Sequence, residues 1–229
     1  MSHIEKAETA THGSDRDGVP SLTHAHRVQR VPRKIGNPGP LGLFSFASTT
    51  LILSFYNTGV RGVVVPNVVV GMAMGVGGLV QLLAGMWEFA TGNTFGATAF
   101  SSYGGFWISF GMLYIPGSGI LDAYAAAPAS ELDSALGIYL ITWAVLTFLL
   151  LVAATRRNLG LVALFFFLTI TYILLAAGKF LNSTASNKAG GALGVVTALI
   201  AYYVGLAELL VRDESWITLP LGAMPKRID

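Results

Sequence analysis

Three asparagines in this chain open apolar stretches: Asn37, Asn93 and Asn158. Asparagine is a good helix N-cap, because its side-chain oxygen accepts a bond from an otherwise unpaired backbone N–H. Pro38, directly after Asn37, suits a first helical position. Nine or ten residues further in stand Phe46, Tyr103 and Leu168. At about 1.5 Å per residue these bulky side chains lie roughly 14–15 Å inside, half the thickness of a bilayer's hydrocarbon. Helical spacing puts Phe46 on a face with Gly39, Gly42, Thr50 and Leu53. It puts Tyr103 with Gly96, Ala99 and Phe100, and Leu168 with Leu161, Leu164, Thr171 and Tyr172. The chemistry open to such faces is passage. They are mostly apolar with a few hydroxyls, which suits a narrow, nearly dry path for a small solute. Thr49 and Thr50 offer hydroxyls along the path. The three capped starts, with Thr94 in the first turn of its helix, offer N–H donors and positive dipole ends at one mouth. Bulky apolar residues are common in any span, so packing is the alternative reading of the three.

Titratable groups near these positions are few. Glu88 ends an apolar stretch just before Asn93 and is either a proton relay or an interfacial residue capped by the Thr91–Thr94 turn. Glu208 reads as interfacial, Gln81 as glue between helices, and the Thr94, Thr98 and Ser101 stripe as bonding a neighbouring helix. All four histidines lie in the first 26 residues, where His24 and His26 have no preformed metal geometry. With no cysteine either, no metal, cofactor or catalytic residue is expected.

The elements that must position these residues follow from the composition. Charged residues make up 11% of the 229, against roughly 25% in a soluble domain. Ten of them fall in Met1–Ile35 and six in Arg212–Asp229, so a water-soluble surface cannot be built from the rest and a soluble enzyme is excluded. Uncharged stretches place membrane helices near Pro38–Tyr56, Val64–Trp87, Thr94–Ile115, Ser134–Thr155, Leu159–Gly178 and Ala189–Val211, each able to cross about 30 Å. The expected fold is all-α: a polytopic membrane protein of six transmembrane helices, three helical hairpins around a central pathway. Residues 1–35 are expected as a disordered N-tail, 36–211 as the membrane domain and 212–229 as a C-tail. Six spans put both termini on one side. If that side is cytoplasmic, 11 of the 14 Lys and Arg lie inside and three outside, as the positive-inside rule requires. Arg27, Arg30, Arg33 and Lys34 either hold anionic lipid headgroups or fix this topology. Gly71, Gly75 and Gly78, and Gly190, Gly191 and Gly194, permit close helix packing within a subunit and, compatibly, between subunits.

The run Asn37-Pro-Gly-Pro-Leu-Gly-Leu-Phe-Ser-Phe46 resembles the signature Asn-Pro-(Ala/Val)-Pro-Leu-Gly-Leu-x-x-Phe of the acetate uptake transporter family. Ala84–Phe89 and Gly92–Trp107 look like that family's second-to-third-helix region, and the similarity runs from about Gly36 to Gly222. Gly39 departs from the usual Ala or Val. The resemblance implies six helices per subunit, a hexameric ring with a pathway in each subunit, and a midplane constriction of Phe, Tyr and Leu at Phe46, Tyr103 and Leu168. It also implies a function: a plasma-membrane transporter or channel for acetate and other small monocarboxylates, proton-linked, with no nucleic-acid partner. An ionised carboxylate near the bilayer centre costs at least ~2.5 kcal/mol, so either the path supplies donors or the acid crosses protonated. The alternatives are an ammonia or ammonium exporter, a role given to some fungal relatives, and an acid-responsive membrane signalling protein.

Overall fold

The structure is a computed structural model that describes residues 35–225. The expected N-tail with its histidines, Arg27, Arg30, Arg33 and Lys34 lies outside the described residues. Six long helical segments make up the rest: α1 (Gly39–Thr58), α2 (Val69–Thr91), α3 (Thr94–Leu113), α4 (Ala129–Ala154), α5 (Leu159–Phe180) and α6 (Thr184–Leu209). Five are long and apolar enough to cross a membrane. The helix α3 matches α1 in length at 20 residues but carries four glycines against two. Among the described residues there is no strand, and the fold is that of a multi-pass, all-α membrane protein.

Three helix starts are built at one end. Asn93 Oδ1 accepts from Gly96 N at 3.2 Å and Asn158 Oδ1 from Leu161 N at 2.8 Å, which are N-caps of α3 and α5. The first start differs by one residue from the sequence reading. Pro38 occupies the cap of α1, and Asn37 Oδ1 accepts from Gly39 N at 2.9 Å from one position earlier. Gly92, at φ 83°, lets the chain reverse between α2 and α3. The remaining boundaries shift because helices do not stop at charges. α4 starts at Ala129 and carries Glu131 and Asp133, and α6 starts at Thr184 behind a Ser183 cap. α2 begins later than expected, because the Pro66–Asn67 turn precedes it.

The six helices close a ring. α1 packs chiefly on α6, α6 on α5, α5 on α4, α3 on α2, and α2 on α1. Between α3 and α4 side chains fill the gap: Phe106 stacks on Tyr139 and meets Trp143 edge-on, while Tyr103 bonds Thr147. The small residues of α6 sit where it packs closely on its neighbours. A Cβ at Gly191 would lie 2.9 Å from Ser54 O, and one at Gly205 would lie 2.9 Å from the Phe44 ring. Gly78 likewise packs on Ile108, but Gly71 and Gly75 are exposed with nothing near them, so packing within the subunit does not account for those two.

The helix α2 contains a further irregularity. Met72–Val80 is wound as a π-helix, with hydrogen bonds one residue longer than in an α-helix, before α-helical winding resumes at Gln81. Such wide turns rotate the side chains that follow and are frequent at functional sites. The segment after α6 does not simply trail away. Leu159 N donates to Gly222 O at 3.0 Å and Met224 N to Arg157 O at 3.2 Å, while Leu221 packs against the core.

Candidate functional site

Two cavities enter the ring from opposite ends. The one at the asparagine-capped end encloses about 130 Å³ and is lined by Gly39, Gly96, Ala99, Phe100, Leu161 and Leu164 on the three helix faces read from the sequence. The other encloses about 110 Å³ and is lined by Thr50, Leu53, Thr171 and Tyr172 of those same faces, with Phe106 and Trp107. Phe46 borders both cavities, Tyr103 only the first and Leu168 only the second. All three are buried, at 4%, 2% and 3% exposure, and the Phe46 and Tyr103 rings stand 5.3 Å apart. Phe46 therefore stands between the two cavities, with Tyr103 on the side of the first and Leu168 on the side of the second. Phe165, which the sequence reading passed over, stacks on Tyr103 at 6.4 Å and completes the wall on the first side.

The division carries almost no free polarity. Tyr103 Oη lies 2.8 Å from Thr147 Oγ1, and the Thr147 hydroxyl donates to Trp143 O at 2.6 Å. The threonine hydrogen is thus spent, so Tyr103 is the donor in their bond. Its oxygen keeps acceptor capacity toward a solute but has no hydrogen to offer a carboxylate. Thr49 is fully buried, donates back to Ser45 O at 3.0 Å and lines neither cavity. Thr50 Oγ1 is buried without a partner at the edge of the second cavity. Thr94 is exposed and lines neither cavity: nine residues at about 100° each put it half a turn away from Tyr103. Its stripe does not bond a neighbouring helix either. Thr98 Oγ1 donates to Thr94 O within α3, and Ser101 Oγ lies against Gly85 without a partner.

The mouth at the asparagine-capped end is charged. Glu88 is 3% exposed, and its Oε2 accepts from Asn93 Nδ2 at 2.9 Å and Thr91 Oγ1 at 3.4 Å, in the turn that follows α2. Asn93 Oδ1 in turn accepts from Arg157 Nη1 at 3.3 Å, and the guanidinium lies 4.2 Å over the Phe95 ring. One asparagine thereby caps α3 and bridges a carboxylate to a cation. Burial lowers the Arg157 pKa while Glu88 and Glu208 oppose that shift, and the group stays charged. Glu208, read as interfacial, lines the same cavity; its Oε2 occupies the space a Cβ at Gly39 would need, so the departure to glycine makes room for a carboxylate. The sequence reading counted Arg157 only toward topology. Its place directly before the Asn158 cap was the available signal that it belongs to the mouth.

Gln81 is fully buried and lines this first cavity, yet neither of its amide atoms has a partner in the protein. It does not bond a neighbouring helix as expected; it follows directly on the π-wound segment and faces the cavity. At the other end Lys179, expected in a loop, belongs to the last turn of α5 and pairs with Asp133 at 2.9 Å beside the second cavity. With both side chains about a third exposed, this pair adds little stability.

Two cavities that approach each other from opposite ends of one helical ring are the geometry of a solute conduit. The sequence pattern of the GPR1/FUN34/yaaH family matches residues 22–226. The chain belongs to the GPR1/FUN34/yaaH family. It is 50% identical over 192 residues to ammonia transport outward protein 2 of Saccharomyces cerevisiae, covering 84% of this chain and 68% of that one. It is 42% identical over 204 residues to acetate permease A of Emericella nidulans, covering 84% and 68%. The succinate-acetate/proton symporter SatP of Escherichia coli is 34% identical over 190 residues, covering 82% and 96%. The solved structure of the bacterial acetate channel SatP superposes with a TM-score of 0.71 at 34% identity, over 82% of this chain and all of the other. The chain thus spans about two thirds of its fungal relatives in this GPR1/FUN34/yaaH group and nearly all of the bacterial one.

Proposed function

We propose that this GPR1/FUN34/yaaH protein conducts acetate and similarly small monocarboxylic acids across the plasma membrane, linked to protons, through a separate pathway in each subunit of a homo-hexamer. The observation that carries the reading is the pair of cavities that approach from opposite ends and are divided at Phe46, Tyr103 and Leu168. These three residues form the constriction. The apolar walls tolerate a methyl group, while no cationic side chain stands at the division and the free donors beside it, Gln81 Nε2, Thr50 Oγ1 and Trp107 Nε1, are neutral. The acid therefore crosses neutral and carries its proton with it. The permease and symporter named among the relatives support the same substrate class. Asn37 and Asn93 form the cytoplasmic mouth, Thr50 serves the far side, and the exposed Gly71 and Gly75 on α2 suit a subunit contact.

Glu88 acts as the proton relay of the mouth. Glu88→Gln retains an acceptor for Asn93 Nδ2 and so preserves assembly, but it removes a titrating group. The expected result is a flattened pH dependence of uptake at normal expression, and an unchanged pH profile would leave Glu88 a structural residue. Both termini are cytoplasmic in this reading. The chain has no cysteine, so single cysteines at Ala126 and Glu214, both exposed, are clean probes. Ala126→Cys is expected to label from outside intact cells and Glu214→Cys only after permeabilisation.

A second reading, export of ammonia, is favoured by the 50% identity to the yeast ammonia transport outward protein and by the acceptor oxygen of Tyr103. Uptake of labelled acetate by cells expressing the chain separates the two. Competition by propionate with none by ammonium supports the acid, and the reverse pattern supports ammonia.

A further inference from the structure

Gln81 is the polar group in the pathway that the protein leaves least provided for. It is 0% exposed, and both Nε2 and Oε1 lack a hydrogen-bond partner. An amide buried in that state costs free energy that an apolar side chain of the same size would not. It lines the cavity that also holds Phe46 and Tyr103, directly after the π-wound segment of α2. A wide turn, a buried orphan amide and a cavity beside the constriction coincide at one residue.

We propose that Gln81 is the binding station on the cytoplasmic side of the constriction and that it takes the acid in its neutral form. This rests on the monocarboxylic-acid reading above. A primary amide has one donor edge and one acceptor edge. A carboxylic acid presents the complementary pair: its carbonyl accepts from Nε2–H while its O–H donates to Oε1. A carboxylate has no hydrogen to donate and would set its charge against Oε1, so it satisfies only half of the site. No bond is made or broken at Gln81. The proton crosses the constriction on the acid and, in uptake, is released on the cytoplasmic side, where Glu88 of the mouth lines the same cavity. Tyr103 fits the same solute, since its hydroxyl hydrogen is already given to Thr147 and it can only accept. The other titratable or charged groups lining this cavity are Glu88, Glu208 and Arg157.

Purified protein in liposomes tests this with labelled acetate and with acetamide, a neutral molecule of acetate's size that offers the same donor–acceptor pair at every pH. Acetamide is expected to inhibit acetate flux through the wild type with a potency independent of pH. Gln81→Met, unbranched and of equal length, is expected to raise the half-saturation concentration for acetate on the order of tenfold to a hundredfold, the loss of two neutral hydrogen bonds, and to abolish inhibition by acetamide. Its melting temperature should equal or exceed that of the wild type, because two unpaired buried atoms are removed. A lower melting temperature would make the amide a packing residue and overturn the proposal. So would an unchanged half-saturation concentration, or a wild type indifferent to acetamide, and this last result needs no variant to fold. Acetate flux that persists in the face of these results sinks Gln81 alone, whereas absence of acetate flux in the wild type removes the monocarboxylic-acid reading and this proposal together.

Discussion

Leu168→Ala is expected to let longer and branched monocarboxylic acids compete with acetate about tenfold better or more, with Phe46→Ala acting in the same direction. Each methylene that a tight apolar site accepts or refuses is worth about 1–3 kcal/mol, so removing the bulk of one side chain relaxes selection strongly. The substitution deletes no polar group. Part of the usual ~2–5 kcal/mol cost of truncating a buried leucine is avoided here, since one side of Leu168 already borders the second cavity. Tyr103→Phe separates bulk from hydroxyl. It keeps the ring against Phe46 and removes the bond to Thr147, so size selection survives it. Competition by straight-chain acids of increasing length against labelled acetate reads all three variants. If both alanine variants fold normally and retain the parent profile, the three residues are packing and not a constriction.

The second large effect belongs to Asn93. Asn93→Ala removes the cap of α3 and leaves Glu88 without its 2.9 Å partner, while Arg157 loses the oxygen it donates to. A lost cap costs about 0.5–2 kcal/mol, and a buried carboxylate short of a partner about 1–3 kcal/mol more. A combined loss of about 2–4 kcal/mol should appear as a marked fall in thermal stability of the purified protein. Asn93→Ser divides the two roles. Serine still caps but is too short to bridge Glu88 and Arg157, so it should recover roughly the capping share of stability without recovering uptake. Full recovery of uptake by serine would show that the bridge is dispensable.

Much of this arrangement was legible in the chain because it is local. The caps at Asn93 and Asn158 and the inward faces of the first, third and fifth helices follow from residue type and helical period. What the sequence hid depends on contacts between distant segments. Glu208 looks like an interfacial residue until α6 is seen packed on α1, where Gly39 makes room for its carboxylate. Arg157 looks like a topology charge until the turn it occupies is brought against Asn93, 64 residues away. The segment around Leu221 reads as a polar tail, yet it pairs with the start of α5. Thr94 stands in the first turn of α3 at the mouth, yet its angular position away from Tyr103 sends it to the surface and out of both cavities. The π-winding in α2 has no signature in residue type beyond the glycines at 75, 77 and 78, and Gln81 directly after it lines the cavity.

The central claim is that a small monocarboxylic acid passes the constriction within a single folded subunit, and the flux of labelled acetate into liposomes containing only the purified wild type tests it most directly. Saturable flux that rises as external pH falls, and exceeds that of methylammonium under the same gradient, is the predicted result. Liposomes that admit acetate no faster than protein-free vesicles, while methylammonium moves readily, would contradict it.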